Sequence, residues 1–233
     1  MRDSSEIRAA ILTIANGLGE LNEQTVFVGG AVLSLYVDDD GAGEVRPTKD
    51  IDITLQIATL SALETLRQTL TKKGFTQSAA DDVVCRFRYK GIKVDVMSTK
   101  EVGWAPSNLW FGEGFSRRET FTLLDKKIQL LPLSYFMATK IAAFRDRGAI
   151  DPRTSHDFED ITYLLDNRSD LAPQVINAPQ KVRNYLIDFF QEITDKNKLQ
   201  EALIANLDPI IQVERKALIM EKLKEIINSN LGS

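Results

Sequence analysis

The sequence predicts an α+β protein: a small mixed β-sheet with helices packed on it, followed by a C-terminal helical bundle. Two observations carry this. Over the first half, segments of helical period alternate with short segments of strand character, in the order helix, strand, helix, strand, helix, hairpin. Beyond Asn167 only helical spacing is found. With 43% hydrophobic and 27% charged residues in a chain of 233, the composition is that of a globular protein large enough for a real core. The expected division is residues 1–125 for the sheet-bearing domain and 126–233 for the helical one.

The first helix is expected over residues 4–21, with Ile7, Ile11, Ile14 or Ala15, and Leu18 on one face. Residues 25–28 are strongly apolar and read as a buried strand. Gly29-Gly30 breaks it, and residues 31–36 have helical character. Paired glycines let the backbone approach a ligand with no Cβ in the way, and a helix starting there points free N–H groups at it, which suits a phosphate. Most such pairs, taken alone, are plain turns. Residues 38–43, Asp38-Asp39-Asp40-Gly41-Ala42-Gly43, read as a flexible acidic loop.

Residues 50–55 alternate. Ile51, Ile53 and Leu55 face a core, while Asp50 and Asp52 stand together on the opposite face. Two such carboxylates repel unless a cation lies between them, and hard cations such as Mg²⁺ favour carboxylate oxygens. The alternative is a solvated strand edge. A helix over residues 60–73 places Leu63, Leu66 and Leu70 inward and stops at Gly74. Residues 83–89 and 92–97 alternate around Lys90-Gly91, a hairpin signal. A two-residue loop pairs Tyr89 with Ile92, Arg88 with Lys93, Phe87 with Val94 and Arg86 with Asp95. Asp95, flanked by valines, is then held by a neighbouring arginine or binds a metal.

Residues 101–120 have no clean period. Trp104, Trp110 and Phe111 beside Arg117-Arg118 suit either base stacking or a loop that buries its own aromatics, and the second reading is favoured. A second hairpin is expected over residues 119–124 and 128–131. Pro132 opens a helix over residues 133–147 with an apolar stripe of Phe136, Met137, Ile141 and Phe144. Lys140 interrupts that stripe. A lysine there needs an anion, a phosphate or an aspartate, unless it snorkels to solvent. Arg145 and Arg147 either assist it or end the helix in solvent. Ser155 is a good cap for the next helix, whose first turn holds Asp157, with Asp160 three residues on. His156, the one histidine, reads as a surface residue. Further helices are expected over residues 181–192, 198–207 and 209–227, the last with Asp208 as cap.

Net charge is −4 and the isoelectric point is about 5.2, which excludes a protein wrapped around duplex nucleic acid. One cysteine, Cys85, excludes an internal disulfide and fits a reducing cytosol. The polar N-terminus shows no signal peptide, and no apolar run reaches membrane-spanning length. A cytoplasmic protein that does not enter membranes is therefore expected.

Gly29-Gly30, then Asp50 and Asp52, then Asp95 within Val94-Asp95-Val96, resemble the signature of the DNA polymerase β-like nucleotidyltransferase superfamily. Leu131-Pro132-Leu133, residues 140–143, Arg145 and Arg147, and Asp157 with Asp160-Ile161 look like the AbiEii-type nucleotidyltransferases, which include toxins of bacterial toxin–antitoxin systems. The resemblance covers roughly residues 26–165. The gap between Gly30 and Asp50, nineteen residues, exceeds the family's usual one.

The resemblance implies transfer of a nucleoside monophosphate from an NTP to an acceptor, with release of pyrophosphate, at a site between the two domains. Asp50, Asp52 and Asp95 would hold Mg²⁺ or Mn²⁺. Gly29, Gly30 and Ser34 would cradle the triphosphate, and Thr48 would orient the strand of the aspartates. Lys140 would neutralise charge on the leaving pyrophosphate, with Asp157 and Asp160, one or both, at the site and partnering it. An RNA acceptor such as tRNA and an antitoxin protein are the implied partners. A small-molecule acceptor fits the acidic balance at least as well. The rival of another class is a non-catalytic nucleotide-binding module of the same fold.

Overall fold

The computed structural model describes residues 4–229. They form two compact units: residues 4–34 with 44–132, and residues 35–43 with 133–229.

The first unit begins with α1 (Ser4–Leu18), whose Ile7, Ile11, Ile14, Ala15 and Leu18 are all buried, as their spacing predicts. The helix ends three residues earlier than expected. Gly19 takes a left-handed φ of +58°, and a 3₁₀ stretch follows over Gly19–Gln24. The strand β1 (Thr25–Val28) is buried throughout. The stretch after Gly29 winds as a 3₁₀ helix, Gly30–Leu35. Next come β2 (Asp50–Leu55) and α2 (Leu60–Lys72), which Thr59 caps by accepting a hydrogen bond from the Ala62 N–H at 3.1 Å. The hairpin β3 (Arg86–Tyr89) and β4 (Ile92–Ser98) turns at Lys90 (φ +48°) and Gly91 (φ +77°), the paired left-handed residues of a tight two-residue turn. Its register is the expected one, with Arg86 opposite Asp95 and Tyr89 opposite Ile92.

The aperiodic stretch holds a six-residue helix, α3 (Phe111–Ser116), that the pattern did not reveal. Two of its residues are glycines, which are poor helix formers. Trp110, Phe111 and Phe115 are buried, so these aromatics serve the core. A last hairpin, β5 (Glu119–Leu123) and β6 (Lys126–Leu130), completes the unit. The six strands make one mixed sheet in the order β3-β4-β2-β1-β6-β5. Because β6 pairs in parallel with β1, a boundary after residue 125 would cut through this hairpin. The unit runs on to Pro132.

The second unit is helical: α4 (Leu133–Ala143), α5 (His156–Asn167), α6 (Leu171–Ile176), α7 (Gln180–Asp195), α8 (Asn197–Ala205) and α9 (Gln212–Ser229). Every residue of α4 from Leu133 to Ile141 is buried, so it is a core helix and not an amphipathic one with a single stripe. It was expected to reach Arg147; instead, one π-helical turn, Phe144–Gly148, follows it. There Phe144 packs its ring on Phe158 and Phe189, with centroids 5.1 and 5.7 Å apart. A Cβ at Gly148 would lie 2.2 Å from Ser155 Oγ, so only glycine admits this approach to the cap of α5. Asp208 caps a turn, accepting from the Ile210 N–H at 2.8 Å, and α9 starts four residues after it.

Residues 38–43 were expected as a flexible loop; within segment 35–43 they belong to the helical unit. They are tied to the helices at several points. The Ser169 N–H and hydroxyl donate to the Asp38 carboxylate at 2.8 and 2.7 Å. Arg215 donates to Asp39 at 3.0 Å and to Asp166 at 2.6 Å, and the Tyr163 hydroxyl donates to the Gly43 carbonyl at 2.9 Å. Tyr36 stacks on Phe136 at 4.1 Å. Among the described residues no helix is long and apolar enough to cross a membrane.

Candidate active site

The period of two along β2 and β4 puts the charged residues of both strands on one face, away from Ile51, Ile53, Val94 and Val96, which are fully buried. The strands pair in parallel with Asp52 beside Asp95 and Asp50 beside Lys93. The next strand, β3, adds Arg86 beside Asp95 and Arg88 beside Lys93. The sheet thus brings Asp50, Asp52 and Asp95 to one surface, and basic side chains with them.

Arg86 dominates the geometry. Its Nε donates to Asp95 Oδ1 and its Nη2 to Asp95 Oδ2, both at 2.7 Å, and Nη2 also reaches Asp50 Oδ2 at 2.7 Å. The guanidinium therefore crosses from the edge strand over β4 to β2. The hydrogen bond to Asp95 and then the charges of Asp95 and Asp50 hold it still more firmly protonated than an ordinary arginine, although burial opposes this. Among the described residues, no group of three His, Cys, Asp or Glu side chains is arranged to hold a metal ion. The three carboxylates were expected to converge on one cation; as placed, Arg86 lies between two of them. Their chemistry still suits a divalent ion. They are hard oxygen donors, and a positive group already bridges Asp50 and Asp95.

The Gly29-Gly30 turn lies against this surface. Gly29 has φ +72°, and a Cβ built there would be 1.8 Å from Asp52 Oδ2. Its glycine identity is thus required twice, by the backbone angle and by the carboxylate. A Cβ on Gly30 would be 2.7 Å from Arg46 Nη2. Arg46, missed by sequence reasoning, rests on the turn where a triphosphate is expected. It stands in an irregular segment, with no period or motif to mark it. The Thr48 hydroxyl donates to Asp50 Oδ1 at 3.3 Å, which orients that carboxylate. Ser34 lies in the 3₁₀ stretch.

In the second unit Lys140 Nζ donates to Asp160 Oδ2 at 2.6 Å, with the two side chains 7% and 0% exposed. The ammonium also stands 5.6 Å from the Phe136 ring centroid. The anion that the interrupted stripe required is an aspartate, and the lysine does not snorkel. Asp157 is engaged differently. It takes a two-pronged contact from Arg147 Nε and Nη2 at 2.8 and 3.0 Å. Arg145 pairs with Glu192 and lies over Tyr185 and Phe189. His156 is exposed, as expected.

The family model described as nucleotidyl transferase AbiEii toxin, type IV TA system, matches residues 11–186. No protein of curated function matches the chain. Among solved structures, an antigenic nucleotidyltransferase-like protein from Paracoccidioides brasiliensis is similar at 19% identity and a TM-score of 0.48. The match covers 87% of this chain and 94% of that one.

Proposed function

The chain belongs to the AbiEii nucleotidyltransferase toxin family of type IV toxin–antitoxin systems, and we propose that it moves a nucleoside monophosphate from an NTP onto an RNA such as tRNA, with Mg²⁺ or Mn²⁺ held by Asp50, Asp52 and Asp95. Family membership makes it a nucleotidyltransferase; the antitoxin partner, the acceptor and the metal are our reading. The observation that carries this reading is the gathering of three carboxylates on adjacent strands, with a glycine turn pressed against one of them.

In the reaction an acceptor hydroxyl oxygen bonds to the α-phosphorus while the bond from that phosphorus to the bridging oxygen breaks, releasing pyrophosphate. A bound divalent ion would supply positive charge to the attacking and departing oxygens. The remaining roles fall to the chain. The Gly29-Gly30 backbone admits the triphosphate closely, and the Arg46 guanidinium beside it can donate to phosphate oxygens. Thr48 fixes the rotation of Asp50. Asp95 takes the proton from the acceptor hydroxyl. Within the second unit, Lys140 is a buried cation that Asp160 holds.

The test is incubation of purified protein with each α-labelled NTP and total tRNA, and in parallel with small hydroxylated acceptors. Label on tRNA that is lost with Asp52→Ala supports the reading. Label only on a small acceptor replaces the RNA with the chemistry that the acidic balance also allows. No label on any acceptor defeats both.

A further inference from the structure

We propose that Arg86 is a positioning residue that competes with the divalent cation: guanidinium and ion use the same oxygens of Asp50 and Asp95, so loading the ion expels the arginine. This rests on the reading that a divalent cation binds these carboxylates.

Arg86 is the first residue of the edge strand, yet its side chain passes over β4 to reach β2. Ladder pairing accounts for its contact with Asp95, directly opposite, but not for the reach to Asp50. Three close carboxylates on one surface repel strongly, and a positive group among them relieves this. The guanidinium does so with three charge-assisted hydrogen bonds, all at 2.7 Å. A fork of this shape sets the separation and rotation of the two carboxylates it joins.

The arrangement is also exchangeable. The Arg86, Asp50 and Asp95 side chains are 14%, 29% and 14% exposed, so water reaches the cluster. Departure of the guanidinium needs only side-chain rotation, because the β3–β4 ladder is made by backbone groups. The charge balance favours exchange in one direction. Asp50, Asp52 and Asp95 carry three negative charges. Arg86 offsets one, Lys93 stands beside Asp50, and a divalent ion brings two positive charges to the same oxygens. Arg86 therefore keeps Asp50 and Asp95 together on one surface and raises the cation concentration needed to fill them.

The test is Mn²⁺ binding to chelator-treated protein without nucleotide, followed by calorimetry and by the electron spin resonance of free Mn²⁺. Arg86→Gln is expected to bind Mn²⁺ at least about tenfold more tightly than the parent, equivalent to roughly 1.4 kcal/mol. Arg86→Lys falls between them, because an ammonium lacks the fork. Asp52→Ala weakens binding. A second readout needs no substitution: the Arg86 Nε–H resonance is protected from exchange without metal and loses that protection as Mg²⁺ saturates. Unchanged or weaker binding by Arg86→Gln, with Asp52→Ala still weaker than the parent, overturns the competition and leaves the metal site standing. An Nε–H signal unmoved at saturation does the same. Absence of Mn²⁺ binding in every variant overturns the competition together with the metal reading.

Discussion

Replacing Lys140 by methionine keeps the length of the side chain and removes its charge. It leaves Asp160, fully buried, facing an apolar group where an ammonium stood at 2.6 Å. Breaking one side of a buried pair costs about 3–5 kcal/mol, because the remaining charge stays desolvated. At roughly 4 °C per kcal/mol for a domain of this size, the helical unit should melt about 12–20 °C lower. The double change Lys140→Met with Asp160→Leu removes both charges and is expected to recover most of that loss, since a packed apolar pair of similar volume is often as stable as the ions. The assay is urea denaturation of the parent, both single variants and the double variant, followed by far-ultraviolet circular dichroism. Tryptophan fluorescence serves as the control, because Trp104 and Trp110 both lie in the first unit. A loss under about 1 kcal/mol for Lys140→Met would show that the pair is hydrated, and the reasoning would fail. The series also separates structure from chemistry. A double variant that is stable but inactive in transfer assigns Lys140 or Asp160 a part in the reaction.

Gly29→Ala should slow transfer about a hundredfold without unfolding the protein. The left-handed φ costs an alanine about 1–2 kcal/mol, and its Cβ would displace the Asp52 carboxylate, a shift of a kind worth on the order of a hundredfold in rate. Activity within about threefold of the parent would contradict this. The Cys85 thiol is pushed up to about 11, first by burial and then by the charge of Asp95. At pH 8 it should resist a disulfide reagent in the native protein and react fully in urea; rapid native labelling would refute this. Asp38 is held below its ordinary range chiefly by the Ser169 N–H, and Asp39 chiefly by the Gly41 N–H. A lowered folded value means that their stabilisation is complete above the ordinary aspartate value of about 3.9 and is lost as pH falls through the lower folded values. Protection of the Ser169 amide from hydrogen exchange, corrected for the intrinsic rate, should stay level from pH 7 to about pH 4 and decline below it. Asp38→Ala, which removes the acceptor, should lose that protection already at pH 7, and equal protection in the variant would refute the account.

Much of the fold and part of the candidate site was legible in the chain. Alternation with a period of two places Asp50 and Asp52 on one face of their strand, and a two-residue turn dictates that Arg86 lies opposite Asp95. These relations are local, spanning a few residues, and steric rules suffice for them. Whether Asp95 was held by an arginine or waited for a metal stayed open, because the answer depends on which strand neighbours which. Only the tertiary structure decided that β2 and β4 are adjacent, which lets one guanidinium bridge residues 50 and 95. The choice of Asp160 over Asp157 as the partner of Lys140 has the same origin, since it follows from how α4 and α5 pack. So does the capture of the acidic segment 35–43 by Arg215 and Ser169. Such contacts join side chains distant along the chain, and their geometry comes from packing, which no single stretch of sequence encodes.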